Sequence, residues 1–194
     1  DANRPLLAKT PGPGLDDAGR LTINAEDHLN KAKKTGKRKP GKNSQPGPDT
    51  RLSLELAVQH HSAGRLREAE SIYQQILQVD PRHPVALHLL GLIAHQVGKN
   101  EIAVDLVGKA IAINPEYAEA HSNLAKVFHE MGRWQEALKS SEKALAVNPD
   151  FPEAYNNLGN ALKELGRLEE AVECYTKAVA INPDYAAAYN NLGN

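Results

Sequence analysis

The sequence predicts an all-α fold, in which a solenoid of helix hairpins follows an N-terminal tail without regular structure. Three observations lead to this prediction. Proline, glycine, alanine and leucine each recur at intervals of 34 residues from position 50 onward. Amphipathic runs with the helical spacing of apolar residues lie between these markers. Before position 50 there are few large apolar side chains and no sustained period.

The tail, residues 1–49, is basic. Residues 1–50 carry ten Lys or Arg and six Asp or Glu, whereas residues 51–194 carry thirteen and eighteen. Such a segment buries too little apolar surface to offset its ordering entropy, so we expect a disordered tail and linker. The run Lys31–Lys42 has seven basic residues and could serve a nucleic acid, an acidic surface or localisation. It lacks interleaved aromatic residues for base stacking, so we do not expect a nucleic-acid partner.

The 34-residue markers divide the rest of the chain into helix hairpins. Glycine ends the first helix of each unit because it adopts the left-handed conformation at little cost. Proline ends the second helix because the residue before it is pushed out of the α region. The predicted units are residues 50–83, 84–117, 118–151 and 152–185, with a partial unit at 186–194. The columns are Gly64, Gly98, Gly132 and Gly166, and Pro81, Pro115, Pro149 and Pro183.

Small residues and helix length predict how these hairpins pack. Gly159, Ala171 and Ala178 remove bulk where two helices cross, so the axes can approach to about 8–10 Å. Pro84 and Pro152 are placed as first-turn prolines of the helices that follow. A helix of roughly 14 residues is marginal in water by itself. The hairpins must therefore stack on one another, which makes a solenoid.

The residue types within one unit resemble the tetratricopeptide repeat. Counted from its first residue, unit 152–185 has an aromatic at position 4 (Tyr155), leucine at 7, glycine at 8 and 15, alanine at 20 and 27, tyrosine at 24 and proline at 32. The resemblance covers residues 50–194, and unit 50–83 departs from it at position 4, where Ser53 stands. It implies a right-handed superhelix whose first helices line a concave groove.

A finer resemblance rests on asparagine at position 6 of three units, namely Asn123, Asn157 and Asn191. With the stretch "AYNNLGNALKELG", it is similar to the repeat arm of the SPINDLY-like protein O-GlcNAc transferases. That resemblance implies an arm that recruits substrate polypeptides and a glycosyltransferase domain downstream of the repeats. Glu55 and Leu89 depart from it at position 6. The alternatives are a stand-alone scaffold for complex assembly and an arm fused to a sulfotransferase or methyltransferase.

The tetratricopeptide resemblance places positions 2, 5, 6, 9, 12 and 13 in the groove. An asparagine amide carries a donor and an acceptor, so a column of them can pair with both backbone groups of an extended peptide. The alternative is that the same amides join helix to helix within the stack. We expect a protein or peptide partner in extended conformation. The candidate peptide-binding residues are Asn123, Asn157, Asn191, Asn156, Asn160, Lys126, His95 and His129.

Other chemistries find little support in the sequence. A carboxylate clamp of the chaperone-binding kind needs cations at positions 2 and 5, where Glu153 and Asn156 stand. The position-12 column, His61, His95 and His129, spaces its members about 16–20 Å apart, whereas zinc ligands lie about 2 Å from the ion. We therefore expect no metal and no cofactor. No catalytic residue is evident, and whether the parent protein is an enzyme is left open.

The sequence also bears on location. There is no stretch of about 18 apolar residues and no signal-peptide core, so we expect no membrane segment. The single cysteine, Cys174, cannot form an internal disulfide and fits a reducing compartment, so the chain is predicted to be cytoplasmic. Because the chain starts at Asp1 and stops at Asn194 inside a unit, we expect a piece of a longer protein. The oligomeric state is left open.

Overall fold

The computed structural model of the chain describes residues 14–15, 21–22 and 49–193. Within them, α-helices follow one another as antiparallel hairpins, and odd-numbered helices are the first helices of their units. The helices are α1 (Thr50–Ser62), α2 (Leu66–Val79), α3 (Pro84–Gln96), α4 (Asn100–Ile113), α5 (Ala118–Glu130), α6 (Trp134–Val147), α7 (Pro152–Glu164), α8 (Leu168–Ile181) and α9 (Ala186–Leu192).

The helix ends follow the glycine and proline markers. Each of the four marker glycines is in the left-handed region, with φ between 71° and 77°. This conformation turns the next amide back onto the helix, as when the N–H of Arg65 donates to the carbonyl of His60 at 2.9 Å. Each second helix ends two residues before its proline. Pro84 and Pro152 begin α3 and α7, so the predicted first-turn prolines are confirmed.

Packing runs along the chain in sequence order. Each first helix packs on the second helix of its own unit, and each second helix packs on the first helix of the next unit. The core is made of small side chains and a few large ones that are almost fully enclosed. Tyr73, Tyr117 and Tyr175 are each at most 1% exposed. The predicted all-α solenoid of helix hairpins is therefore confirmed for the described repeats.

Two glycines allow the helices of a hairpin to touch. A Cβ atom on Gly159 would lie 2.5 Å from Cε1 of Tyr175, which is closer than van der Waals contact allows. A Cβ atom on Gly91, at the same position of its unit, would lie 2.7 Å from Cγ2 of Val107. The predicted role of Gly159 is thus confirmed, and its close partner is an aromatic ring on α8.

Two short strands lie within the tail. Strand β1 (Gly14–Leu15) pairs antiparallel with β2 (Leu21–Thr22), with Gly14 opposite Thr22 and Leu15 opposite Leu21. The sequence predicts no regular structure here. In the structure, β1 lies against α5 and β2 lies against α1, and composition does not reveal such contacts. The rest of the predicted tail up to residue 48, including Lys31–Lys42, lies outside the described residues.

The glycine contacts generate a matched pair of substitutions. Gly159→Ala should lower the free energy of unfolding by about 1–3 kcal/mol, because the added methyl group overlaps the Tyr175 ring. Gly108→Ala should raise it by about 0.5–1 kcal/mol, because a Cβ there meets nothing within 4 Å and alanine favours the helix. Urea unfolding with an unchanged slope measures both. Equal effects of the two substitutions would contradict this explanation.

Candidate functional site

The asparagines at position 6 reach back to the preceding unit. Nδ2 of Asn157 donates to the backbone carbonyl and to Oγ of Ser122, both at 3.1 Å. Nδ2 of Asn123 donates to Nε2 of His88 at 2.9 Å. In both cases the partner is position 5 of the preceding unit, 35 residues earlier. We call this series of contacts the first ladder.

The third contact of the first ladder ties the last unit to the one before it. Nδ2 of Asn191 donates to Oδ1 of Asn156 at 2.9 Å and to Oδ1 of Asn160 at 3.0 Å. Oδ1 of Asn160 also accepts from the hydroxyl of Tyr175 at 2.9 Å. Through Asn160, this contact connects α9 with both helices of the preceding hairpin.

The contact between Asn123 and His88 extends into a buried network. An amide nitrogen only donates, so Nε2 of His88 accepts, and its Nδ1–H donates to the hydroxyl of Tyr117 at 2.9 Å. The two rings meet edge to face with their centroids 4.8 Å apart. His88 is 0% exposed and Tyr117 is 1% exposed. The network therefore selects one tautomer of His88 and joins the second and third units away from water.

At the junction between the first and second units, an apolar contact takes the place of the polar one. Position 6 of the second unit is Leu89 and position 5 of the first is Leu54, and both are at most 1% exposed within one hydrophobic cluster. At every junction the two positions thus match in polarity. This match explains why Leu89 departs from the asparagine column. It is also the sequence signal that would have revealed the ladder.

A second ladder joins position 12 of one unit to position 13 of the next, again 35 residues apart. Two of its histidines, His61 and His95, are buried, whereas the side chain of His129 is 31% exposed. The pairs are His61 Nε2 with Gln96 Oε1 at 3.1 Å, His95 Nε2 with Glu130 Oε1 at 3.4 Å, and His129 Nε2 with Glu164 Oε1 at 4.0 Å. Each histidine is thus directed at the adjacent unit, and none at another histidine of the column.

Burial changes the protonation of several histidines. It lowers the pKa of His61 to about 4, and the hydrogen bond that its Nε2–H donates to Oε1 of Gln96 opposes this shift. Burial also lowers the pKa of His121, against the effect of its bond to the Pro115 carbonyl. The neutral imidazole is therefore the form that the folded chain favours at both positions.

A cavity of about 380 Å³ lies on the inner side of the last three units. Six of the fourteen residues that line it are asparagines. The lining comprises Ser122, Asn123, Lys126, His129, Glu130, Phe151, Glu153, Asn156, Asn157, Asn160, Tyr185, Ala187, Asn190 and Asn191. Seven of the eight candidate peptide-binding residues are among them, and His95 is the exception. That these residues bind a peptide remains a prediction.

Position 2 is acidic in the third and fourth units, where Glu119 and Glu153 stand. Burial raises the pKa of Glu153, and the charge of Glu119, the equivalent residue one unit earlier, raises it further. A site for a C-terminal carboxylate would need cations here. Lys126 supplies a positive charge elsewhere in the lining. The cavity as a whole offers many amide donors and acceptors, which suits a neutral peptide main chain.

The structure also bears on metal binding, thiol reactivity and membrane insertion. In the ranges that the structure describes, no group of three His, Cys, Asp or Glu side chains is arranged to hold a metal ion. Cys174 is buried, and burial raises the pKa of its thiol, so the reactive thiolate is disfavoured. Across the same residues, every helix is too short or too polar to cross a bilayer.

A protein-family model described as "TPR repeat" matches residues 91–132, 126–166 and 159–194 of the chain. Together these segments span slightly more than half of the sequence. No curated protein sequence matches the chain significantly.

Three solved structures illustrate the range of proteins that have a similar fold. The crystal structure of MamA has a TM-score of 0.64 at 25% identity, covering 71% of this chain and 81% of that chain. YrrB, described as "a TPR protein with an unusual peptide-binding site", has a TM-score of 0.65 at 18% identity, covering 75% of each chain. "First TPR of Spaghetti (RPAP3) bound to HSP90 peptide SRMEEVD" has a TM-score of 0.56 at 25% identity, covering 59% of this chain and 90% of that chain.

The first ladder makes a prediction about stability. Asn123→Ala should lower the free energy of unfolding by about 1–3 kcal/mol, because it removes the hydrogen bond that Asn123 donates to the buried Nε2 of His88. Asn190→Ala is the matched control: Asn190 lines the same cavity but is exposed. Its substitution should change stability by less than about 0.5 kcal/mol. Equal stability of the two variants in urea unfolding would contradict the structural role of the ladder.

The second ladder makes a prediction about pH. The unfolded chain protonates His61 near pH 6.5, whereas the folded chain resists protonation down to about pH 4. Stability from this group is complete above pH 6.5 and is lost as the pH falls toward 4. Between pH 7 and pH 5 the loss should be about 2 kcal/mol greater in the natural chain than in His61→Gln. Parallel stability curves from urea unfolding would contradict the assigned burial of His61.

Proposed function

This chain belongs to the TPR (tetratricopeptide repeat) family, and from that premise we propose that it binds an extended polypeptide in the concave groove formed by its first helices. As a TPR protein it is a protein-interaction module. The observation that carries the more specific proposal is the cavity of about 380 Å³, six of whose lining residues are asparagines. Side-chain amides in that number suit recognition of a main chain rather than of one particular side chain.

The position-6 asparagines would have two roles at once. Their Nδ2 groups hold the preceding unit through the first ladder. The amide oxygens of Asn123 and Asn157 are then the groups that accept hydrogen bonds from the N–H groups of a bound peptide. Asn190 is exposed in the same cavity and contributes both a donor and an acceptor. A peptide would thus meet a scaffold whose contact groups are already held in position, which lowers the entropic cost of binding.

The expected ligand differs from the one in the RPAP3 structure. That structure holds an HSP90 peptide whose sequence ends in EEVD, with several carboxylates. In this chain, position 2 of two successive units is Glu119 and Glu153. Besides burial, the like charge of Glu119 raises the pKa of Glu153, so a further carboxylate nearby is disfavoured. The ligand proposed for this groove is therefore an internal peptide segment that is neutral or basic.

A finer form of the proposal makes the chain the substrate-recruiting arm of a protein O-GlcNAc-transferase-like glycosyltransferase. The recurrent Asn123, Asn157 and Asn191 support it, because they stand where that family's asparagine ladder stands. The rivals are a stand-alone scaffold and an arm of a sulfotransferase or methyltransferase. The coding sequence beyond Asn194 separates them. A nucleotide-sugar-binding α/β domain would support the transferase arm, whereas a charged capping helix followed by a stop codon would support the scaffold.

The binding proposal is tested with short unstructured peptides whose C-termini are amidated, in neutral, basic and acidic versions. We expect the neutral and basic versions to bind, and Asn190→Ala and Asn157→Ala each to weaken binding about 2–10-fold, as the loss of one hydrogen bond does. Gln135→Ala, an exposed residue of α6, is the control and should change nothing. Circular dichroism checks that each variant stays helical.

Two outcomes would overturn the proposal. If affinity is the same in all three variants, the asparagines have only their structural role. If the acidic peptide binds more tightly than the basic one, the charge assigned to position 2 does not govern the groove.

A further inference from the structure

The groove side of the first unit is more deeply buried than its place in the stack explains. Val58 at position 9 and His61 at position 12 are 4% and 3% exposed. In the third unit, which has a full unit on either side, Lys126 is partly exposed and the His129 side chain is 31% exposed. On the face of α1 where a preceding unit would stack, Leu56 is 47% exposed. Neighbouring units therefore do not account for the burial of the groove face.

Helix α3 shows the same excess burial. Eleven of its 13 residues are buried, compared with ten in α5 and six in α7. Leu92 at its position 9 is 0% exposed, although this position faces the groove. The groove side of α3 is thus covered as completely as the sides that face α2 and α4.

The strands are placed to supply this cover. Strand β2 lies within 8 Å of α1 and β1 lies within 8 Å of α5, measured between Cα atoms. Both are first helices, and they flank α3 in the inner row. A pair of strands that reaches from α1 to α5 crosses α3 on the face that the three helices share, which is the concave face.

We propose that the N-terminal half of the groove is an interaction surface whose occupant is the chain's own N-terminal strand pair, β1 with β2. The chemistry of this half fits such an occupant. Position 9 is Val58 and Leu92 in the first two units but Lys126 and Asn160 in the next two. An apolar floor suits a segment that satisfies its own backbone groups by strand pairing, whereas the amide-rich half suits a single extended peptide.

The chain between β2 and α1 tethers the strand pair to the repeats, so the contact is effective even when it is weak. The 26 residues between Thr22 and Asp49 can span up to about 85 Å, more than the roughly 40 Å that two units occupy. A tethered segment has an effective concentration on the order of 1 mM, so an intrinsic dissociation constant of about 0.1 mM would keep the groove about 90% occupied. The opposite net charges of residues 1–50 and 51–194 add a general attraction.

Occupancy of this kind divides the groove between two ligands. The strand pair covers the surface of α1 and α3, and the cavity beyond α5 remains for a foreign peptide. A peptide that needs the full length of the groove would have to displace the strand pair. It would bind about tenfold more weakly than to the open groove if the groove is open one tenth of the time. The strand-pair contact itself does not require that any foreign peptide binds.

The contact is tested in the full chain with a nitroxide label, in a Cys174→Ser background. The label is placed in the groove at His129→Cys or on the outer face at Lys139→Cys. We expect the groove label to broaden the amide NMR signals of Gly14, Leu15, Leu21 and Thr22, and the outer label to leave them sharp. Mixing labelled unenriched chain with unlabelled enriched chain should produce no broadening. Sharp signals with the groove label would overturn the proposal, and broadening in the mixed sample would assign the groove to a second copy instead.

Proline variants test the strand pairing separately. Leu21→Pro should abolish the broadening from the groove label, because proline cannot keep the ladder geometry of β2. Ala32→Pro, elsewhere in the tail, should leave it unchanged. The synthetic peptide of residues 11–25 should then bind Leu21→Pro about tenfold more tightly than the natural chain, whose groove is occupied. Equal affinity of this peptide for both chains, or equal broadening in both proline variants, would contradict the strand pair as occupant.

Discussion

The whole stack depends on contacts between each inner side chain and the one 35 positions later. Among the described residues no helix is longer than 14 residues, and an isolated helix of that length is only marginally stable in water. The contacts are specific as well as cohesive, because a buried donor or acceptor without its partner costs about 1–3 kcal/mol. A slip of one residue between the second and third units would set the Asn123 amide against Leu87 or Leu89. The polarity match between positions 5 and 6 therefore favours the observed register of the units.

The groove is a consequence of the same contacts. The first ladder uses the amide nitrogens of Asn123, Asn157 and Asn191, and leaves the other edges of these amides along the inner face. Where the ladder is apolar, at Leu54 and Leu89, groove position 9 of the same units is apolar too. One repeated architecture thus carries two surfaces of different chemistry, and the chain's own N-terminal strands and an external peptide are suited to different halves.

Local sequence rules predict the helix ends, whereas contacts between residues far apart in the chain cannot be derived from a single sequence. Glycine and proline act within one turn, so the hairpin boundaries followed from a single sequence. The partner of His88 did not, because joining it to Asn123 needs the three-dimensional offset between units. Periodicity also cannot separate the packing face from the outer face: Leu168 and Val172 have the helical spacing of apolar residues, yet they are 55% and 51% exposed. The strands in the tail lie against α1 and α5, and composition does not reveal such contacts.

A double-mutant cycle across one junction tests this dependence most directly. Urea unfolding of His88→Ala, Asn123→Ala and the double variant gives the coupling free energy between two units in contact. We expect about 0.5–3 kcal/mol, as for buried hydrogen-bonded neighbours. The same cycle with Asn157→Ala, two units away from His88, should be additive within about 0.5 kcal/mol. No coupling in the first cycle, or equal coupling in both, would contradict a stack held together by contacts between adjacent units.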